Sequence, residues 1–146
     1  MINHSLQLFC DRTVAAGRIT AADVQTLIRD VIPDGLLHAD EADMLIALDR
    51  AVPVSDVSYA DAVSAAVVNF AVWGERPTGY VDAEIARWLV GSLRSDAGPT
   101  ALAARIAMDV VREAETSHDI LVAFALFANA RTGKGLDKVE ELLAAA

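Results

Sequence analysis

Glycine and proline residues divide this chain into short segments, and that punctuation restricts the fold more than any other feature. Breaks fall at Gly17, at 33–35, at Pro53, at 74–79 and at 98–99. Between the breaks, apolar residues recur at helical spacing, and the β-branched residues stand among alanines without alternating with polar residues. The pattern therefore predicts helices joined by tight turns and predicts no strand.

The segments predict an all-α fold: a single compact helical domain over residues 1–146, with about seven to eight helices and EF-hand-like helix-loop-helix junctions. The predicted helices cover 6–16, 21–31, 40–51, 58–73, 82–94, 100–115, 117–130 and 136–145. Because no glycine or proline separates 100–115 from 117–130, one long helix is an alternative there. The segment 58–73 is apolar nearly all round, which predicts the most buried helix of the domain.

Composition favours packed helices over a β-sandwich. Hydrophobic residues make up 54% of the chain, but aromatic residues make up only 5%. A core built largely from alanine and valine suits helices that approach one another closely. A chain of 146 residues is also long enough to bury a sizeable core.

The charge of the chain argues against several classes of partner. The formal net charge is −9, so the protein repels phosphate backbones and anionic lipid, and we expect neither nucleic acid nor membrane as a partner. A cation or a basic protein surface is favoured. The uncharged stretches 62–74 and 120–130 are shorter than the roughly 20 residues of a membrane span. With a single cysteine, Cys10, and no signal peptide, a cytoplasmic location is predicted.

The segment 30–41 has the outline of a calcium-binding loop. In that pattern, Asp30 and Asp34 stand at two ligand positions. Gly35 stands at the position of the turn glycine, and Glu41 at that of the terminal bidentate glutamate. Ile32 stands where a third oxygen ligand is usual, so we predict only weak binding of Ca²⁺ or Mg²⁺ by Asp30, Asp34 and Glu41. The alternative is a plain turn in which Glu41 is a first-turn acid. Either interpretation predicts a positive φ at Gly35 and burial of Leu37.

A short pattern occurs three times, starting at Gly17, Gly35 and Gly79. Each copy has a glycine, any residue, an aliphatic residue, a potential capping residue, and an acid near the first turn of the next helix. One interpretation is a series of ion loops. The other is helix punctuation, in which the glycine ends one helix and the capping residue begins the next. Punctuation is favoured for the first and third copies.

The second copy, in an acidic helical chain, resembles the tellurite-resistance TerB-like family. The residues that match are Asp34, Gly35, Leu37 and Glu41, which follow a helix and lead into another. The resemblance implies a cytoplasmic helical domain that is tied to stress response and whose acidic residues bind divalent cations. The family has a second junction of this kind. Its best counterpart here departs from the pattern, because Thr78 stands in place of the aspartate.

Neither a zinc-type Cys/His cluster nor a catalytic pair occurs in the sequence. The residues are then compatible with two functions from different classes. The first is a non-catalytic binding module that holds a divalent cation or docks a protein partner in a stress-response or signalling assembly. The second is a small-molecule-binding domain or an enzyme with a site near Trp73, Arg76 and Trp88. A purely structural or oligomeric helical protein is a third possibility.

Overall fold

Helices account for most of the structure, which confirms the all-α fold class. The computed structural model describes residues 3–74 and 77–131. The α-helices are α1 (His4–Ala16), α2 (Ala21–Thr26), α3 (Ala39–Ala51), α4 (Val57–Val68), α5 (Ala83–Leu93), α6 (Ala101–Glu113) and α7 (Asp119–Arg131). Two π-helical segments, Leu27–Val31 and Asn69–Gly74, continue α2 and α4. The helix predicted over 136–145 lies outside the described residues.

Four strands of two residues each lie in the connections between helices, and they form two pairs. They are β1 (Arg18–Ile19), β2 (Val54–Ser55), β3 (Tyr80–Val81) and β4 (Thr116–Ser117). β1 pairs with β2 and β3 pairs with β4, both in parallel. The prediction of no strand was therefore wrong, because two residues are too few to show an alternating pattern. β4 also separates α6 from α7, so the alternative of one long helix is wrong.

The chain divides into two compact units, Met1–Phe70 and Ala71–Ala146. Both follow one order of elements, β1-α2-α3-β2-α4 in the first unit and β3-α5-α6-β4-α7 in the second. Counterparts begin 62 residues apart, as in Ala21 and Ala83, Ala39 and Ala101, and Val57 and Asp119. The molecule thus contains an internal repeat. The prediction of a single domain stays a prediction.

Equivalent junctions of the two units use the same local chemistry. Gly17 and Gly79 have φ angles of 73° and 88°, in the left-handed region that favours glycine. Thr20 caps α2 by accepting a hydrogen bond from the backbone N–H of Asp23, and Asp82 caps α5 in the same way. The first and third copies of the glycine pattern are therefore helix punctuation.

Each unit has a core of aliphatic side chains, to which the first unit adds Tyr59 and two phenylalanines, Phe9 and Phe70. Tyr59 on α4 is fully buried, together with Leu27 and Leu45. The helical stretch 58–73 is not buried all round, because Asp61 and other residues at four-residue spacing along it are exposed. The prediction that this helix is the most buried one is wrong, because 7 of the 16 residues in 58–73 are buried, a share no larger than the 6 of 13 in α6.

One helical stretch, Val57–Gly74, is long and apolar enough to cross a membrane when judged by length and composition alone. It is longer than the uncharged segment 62–74, which was predicted to be too short. Tyr59, Val63 and Val67 along it are buried inside the protein. In total 39% of this stretch is buried, and a single helix of this kind is weak evidence for a membrane span.

Candidate functional site

The 30–41 junction is a tight turn between the π-helical segment and α3. Gly35 has a φ of 79°, as predicted, and its N–H donates to the carbonyl of Ile32 over 3.0 Å. Ile32 and Leu36 are buried, whereas Leu37 is 63% exposed. The predicted burial of Leu37 is therefore wrong, because the residue directly after the left-handed glycine enters the core and Leu37 turns outward.

Matched substitutions of two glycines by alanine should change stability in opposite directions. A Cβ at Gly35 or at Gly91 would meet no atom within 4 Å, so only the backbone conformation differs between the two sites. Gly35→Ala should lower the free energy of unfolding by about 1–2 kcal/mol, because alanine resists the left-handed region. Gly91→Ala, inside α5, should raise it by about 0.5–1 kcal/mol. Urea unfolding measures both, and equal shifts would contradict the prediction.

Glu41 closes the junction with both of its carboxylate oxygens. Oε1 accepts hydrogen bonds from the backbone N–H groups of Leu37 (2.9 Å) and His38 (3.1 Å), and Oε2 accepts one from Nδ2 of Asn3 (2.8 Å). The side chain is only 5% exposed. Burial by itself raises the pKa of Glu41, but these hydrogen bonds outweigh burial and lower the pKa below its ordinary value. Glu41 therefore serves as a charged cap for α3.

The other two predicted metal ligands lie on the surface with different surroundings. Asp30 forms an ion pair with the adjacent Arg29 (Oδ1 to Nε, 3.3 Å). Asp34 is exposed in the turn. In residues 3–74 and 77–131, no group of three or more His, Cys, Asp and Glu side chains is arranged to hold a metal ion. Asp30, Asp34 and Glu41 are thus not gathered into a ligand set, and metal binding stays a prediction.

Calorimetric titration with Ca²⁺ and Mg²⁺ tests the metal prediction directly. Binding by Asp30, Asp34 and Glu41 should be weak, with Kd about 10⁻⁴–10⁻³ M, because the loop supplies few oxygens. Asp34→Ala should abolish the heat, whereas Asp96→Ala, an exposed aspartate in the second unit, should not change it. Absence of heat at millimolar ion in the wild type, or equal heat in Asp34→Ala, would contradict the prediction.

The structure describes the alternative site around the two tryptophans only in part. Trp73 is 44% exposed, and its Cζ3 lies 3.7 Å from where a Cβ on Gly79 would stand. Trp88 is half-buried on α5. Arg76 lies outside the described residues. A small-molecule site near these residues therefore stays a prediction.

The thiol of Cys10 has the environment of a structural cysteine. Burial, together with a smaller effect from the charge of the neighbouring Asp11, raises its pKa to about 11. A thiol of that pKa is protonated at neutral pH and is a poor nucleophile. Cys10 is half-buried on α1.

A groove that sequence reasoning did not identify lies between α2 with its π-helical continuation and α4, in the first unit. Its volume is ≈390 Å³. Its walls, largely apolar, include Ala21, Val24, Ile28, Ser58, Asp61 and Ala62. Ile28 is 52% exposed, although it is a large aliphatic residue. The lining residues come from two separate helices, so no local pattern in the sequence marks the groove.

The second unit carries a larger groove at a different place. It has a volume of ≈740 Å³ and is bordered by the end of α5, the 94–99 turn and α7, including Arg94, Phe124 and Phe127. Phe124 is the counterpart of Ala62 in the internal repeat, since each is the sixth residue of its helix, α7 and α4. The repeat therefore tolerates both a small and a bulky residue at this position.

Comparison with known proteins does not place the chain in a family. No protein-family model matches the chain, and no curated protein or solved structure matches it at a significant level. The resemblance of Asp34, Gly35, Leu37 and Glu41 to the TerB-like family stays a prediction from the sequence.

Proposed function

We propose that this chain is a non-catalytic helical module that docks a protein partner in the groove between α2 and α4. The open groove with its largely apolar walls is the observation that carries the proposal. Exposed apolar concavities commonly bind partners, because water inside them makes few hydrogen bonds and is readily displaced. The half-exposed Ile28 at the groove would become buried when an apolar side chain of the partner enters.

The internal repeat indicates what kind of side chain fits. Ala62 in the groove occupies the position that Phe124 occupies in the second unit. Because the repeat accepts a phenylalanine at this position, the small alanine leaves room that a bulky side chain of a partner can fill. We expect an aromatic or large aliphatic residue of the partner to enter next to Ala62.

The charge of the chain indicates what surrounds that side chain. Asp61 borders the groove, and the whole chain carries a formal net charge of −9. A partner with lysine or arginine next to its apolar residues would be attracted and oriented by this charge. An amphipathic helix that carries basic residues satisfies both requirements.

Three described carboxylates that stabilise helix ends also support a non-catalytic function. Glu41, Asp56 and Asp82 each accept hydrogen bonds from backbone N–H groups at the start of a helix. These groups stabilise helix ends, where a charged acceptor complements the helix dipole. Their roles are structural ones.

A designed peptide tests the docking proposal. A fluorescent amphipathic peptide of leucine, phenylalanine and lysine should bind the wild type saturably, as measured by anisotropy. Ala62→Phe fills the groove without changing the net charge and should weaken binding at least about tenfold, or 1.4 kcal/mol. Leu8→Ala, an exposed apolar position on α1, is the control and should bind as the wild type does. Undiminished binding by a folded Ala62→Phe variant would overturn the proposal.

Three further proposals come from the sequence alone. They are weak cation binding at the 30–41 junction, membership in the TerB-like family, and a role in a cytoplasmic stress-response or signalling assembly. The calorimetric titration described above tests the first of them independently of protein docking.

A further inference from the structure

The larger groove, in the second unit, combines an apolar wall with a charged end. Phe124 and Phe127, about one turn apart on α7, contribute to the apolar wall, and Phe127 is 53% exposed. Arg94 at the end of α5 and Asp96 in the following turn border the same groove. Its volume of ≈740 Å³ lies within the roughly 300–1,000 Å³ of small-molecule sites. The groove therefore has the size and the mixed chemistry of a site for a small amphiphilic molecule.

Gly91 widens this groove at a place where the helix favours a different residue. It lies inside α5 and borders the groove, and a Cβ there would meet no atom within 4 Å. Packing thus does not exclude a side chain, although glycine weakens a helix interior relative to alanine. Residues that break a local folding rule in this way are typical of functional sites. The glycine favours a binding role for the groove.

The first unit shows that the repeat does not require an open, charged turn. The positions 62 residues earlier hold Ile32 in place of Arg94 and Leu36 in place of Gly98. Both aliphatic side chains are buried in the first unit. The same order of elements therefore forms with a turn whose apolar residues enter the core. The open turn of the second unit needs an explanation other than folding.

The two charged side chains of the groove are opposite in sign and do not pair with one another. Among residues 3–74 and 77–131, neither Arg94 nor Asp96 has a side-chain ion pair or hydrogen bond. A guanidinium binds a carboxylate, and a carboxylate accepts hydrogen bonds from an ammonium group. A ligand that carries both an ammonium group and a carboxylate would satisfy both side chains at once.

We propose that this groove binds a free α-amino acid with an aromatic side chain. The α-carboxylate of the ligand accepts hydrogen bonds from Arg94, and its α-ammonium group donates to Asp96. Its ring packs against Phe124 and Phe127, since aromatic rings favour aromatic neighbours. Such a zwitterion has no net charge, so the formal charge of −9 on the chain does not repel it as it would repel a simple acid. The site is distinct from the proposed docking groove, which lies in the first unit.

Titration of the full chain with L-phenylalanine, followed by heteronuclear NMR, tests both the binding and its location. The amide signals of Gly91 and Gly98 should shift saturably, whereas those of Gly17 and Gly35 in the first unit should not. We expect a Kd in the millimolar range, because Arg94 and the other charged side chain of the groove are exposed to water. Absence of saturable shifts, or shifts confined to the first unit, would overturn the proposal.

Two analogues of the probe separate the contributions of its charges. Hydrocinnamic acid lacks the ammonium group and phenethylamine lacks the carboxylate, but both keep the ring. Each should bind at least about tenfold more weakly than L-phenylalanine, since each loses a charge-assisted hydrogen bond. Equal affinity for the acid would identify a site for aromatic anions, and equal affinity for the amine a site for aromatic cations. Either result would overturn the amino acid as the ligand.

Two variants with matched controls test the named residues. Arg94→Gln removes a charge from an exposed side chain and should weaken binding of L-phenylalanine at least about tenfold. Its control is Arg87→Gln, at an exposed arginine of α5 that does not border the groove, and it should bind as the wild type does. Gly91→Leu fills the groove and should also weaken binding, whereas Gly91→Ala stabilises the helix similarly and should retain it.

The two proposed sites can be tested independently. Thermal melting shows which variants are folded, and undiminished binding by a folded Arg94→Gln or Gly91→Leu variant would overturn the amino-acid site. Ala62→Phe should leave binding of L-phenylalanine unchanged. Arg94→Gln should in turn leave binding of the designed peptide unchanged, so failure of one proposal is distinguishable from failure of the other.

Discussion

Replacing Glu41 by alanine should lower the free energy of unfolding by about 2–4 kcal/mol. The substitution removes a buried carboxylate that accepts three hydrogen bonds, from Leu37, His38 and Asn3. Hydrogen bonds to a charged group contribute about 1.5–3 kcal/mol each, and bonds that share one acceptor group are less than additive. The two backbone N–H groups at the start of α3 would also lose their acceptor. Urea unfolding followed by circular dichroism measures the change.

Asp40→Ala is the matched control for Glu41→Ala. Asp40 is the preceding residue and is also an acid in the first turn of α3, but it is exposed. Its removal should change stability by less than about 1 kcal/mol, the usual limit for a surface charge near a helix dipole. Equal losses of stability in the two variants would show that Glu41 stabilises the protein by its charge near the helix start and not by its hydrogen bonds to the junction.

The contribution of Glu41 should depend on pH in a defined direction. Its pKa is lower in the folded state than the ordinary value of 4.5, so the folded protein favours the ionised form. The stabilisation is therefore fully present above the ordinary pKa and is lost as the pH falls through the lowered folded pKa. Melting temperatures of the wild type and Glu41→Gln should differ by a constant amount near neutral pH and converge in acid. A difference that grows in acid would contradict this account.

Local punctuation made the helices predictable from the sequence. Gly35 reverses the chain with a positive φ, and Thr20 and Asp82 cap the helices that follow them. Each of these features depends on residues within a few positions of one another. Strand pairing was not predictable, because β1 and β3 meet partners that lie far along the chain.

The candidate metal loop shows why a local pattern can have two meanings. A glutamate six residues after a turn glycine can bind a cation, and it can equally accept the N–H groups of the turn. Both uses need a carboxylate at the same place. The sequence could not show the hydrogen bond that Asn3 donates to Oε2 of Glu41, because the two residues lie 38 positions apart in the chain.

The apolar surfaces were hidden from sequence reasoning for a different reason. The stretch 120–130 is uncharged, and such a stretch indicates a buried helix as readily as a binding face. Only the structure shows that Leu121 faces the core while Phe127 faces solvent. The glycine pattern at Gly17 and Gly79 marked one pair of equivalent junctions, but the full internal repeat was hidden, since other equivalent positions hold residues as different as Ser58 and Ile120.

Truncating Tyr59 to alanine should destabilise the protein by about 3–5 kcal/mol, the range for buried aromatic residues. The ring is fully buried in the first unit, and its hydroxyl donates to the carbonyl of Leu45 over 2.6 Å. Tyr59→Phe keeps the ring but leaves that buried carbonyl without the tyrosine donor, so it should cost about 1–3 kcal/mol. The difference between the two variants separates packing from hydrogen bonding.

Tyr80→Phe provides the control for the hydroxyl of Tyr59. Tyr80 is 44% exposed and its hydroxyl bonds to Glu115, where water can replace the lost bond, so Tyr80→Phe should be about as stable as the wild type. Burial raises the pKa of Tyr59 above its ordinary value, with smaller contributions from Cys10 and Asp49. The stabilisation from Tyr59 should therefore be complete below that ordinary value and should be lost as the pH rises through the folded pKa. A Tyr59→Phe variant as stable as the wild type at neutral pH would mean that the bond to Leu45 contributes no net stability.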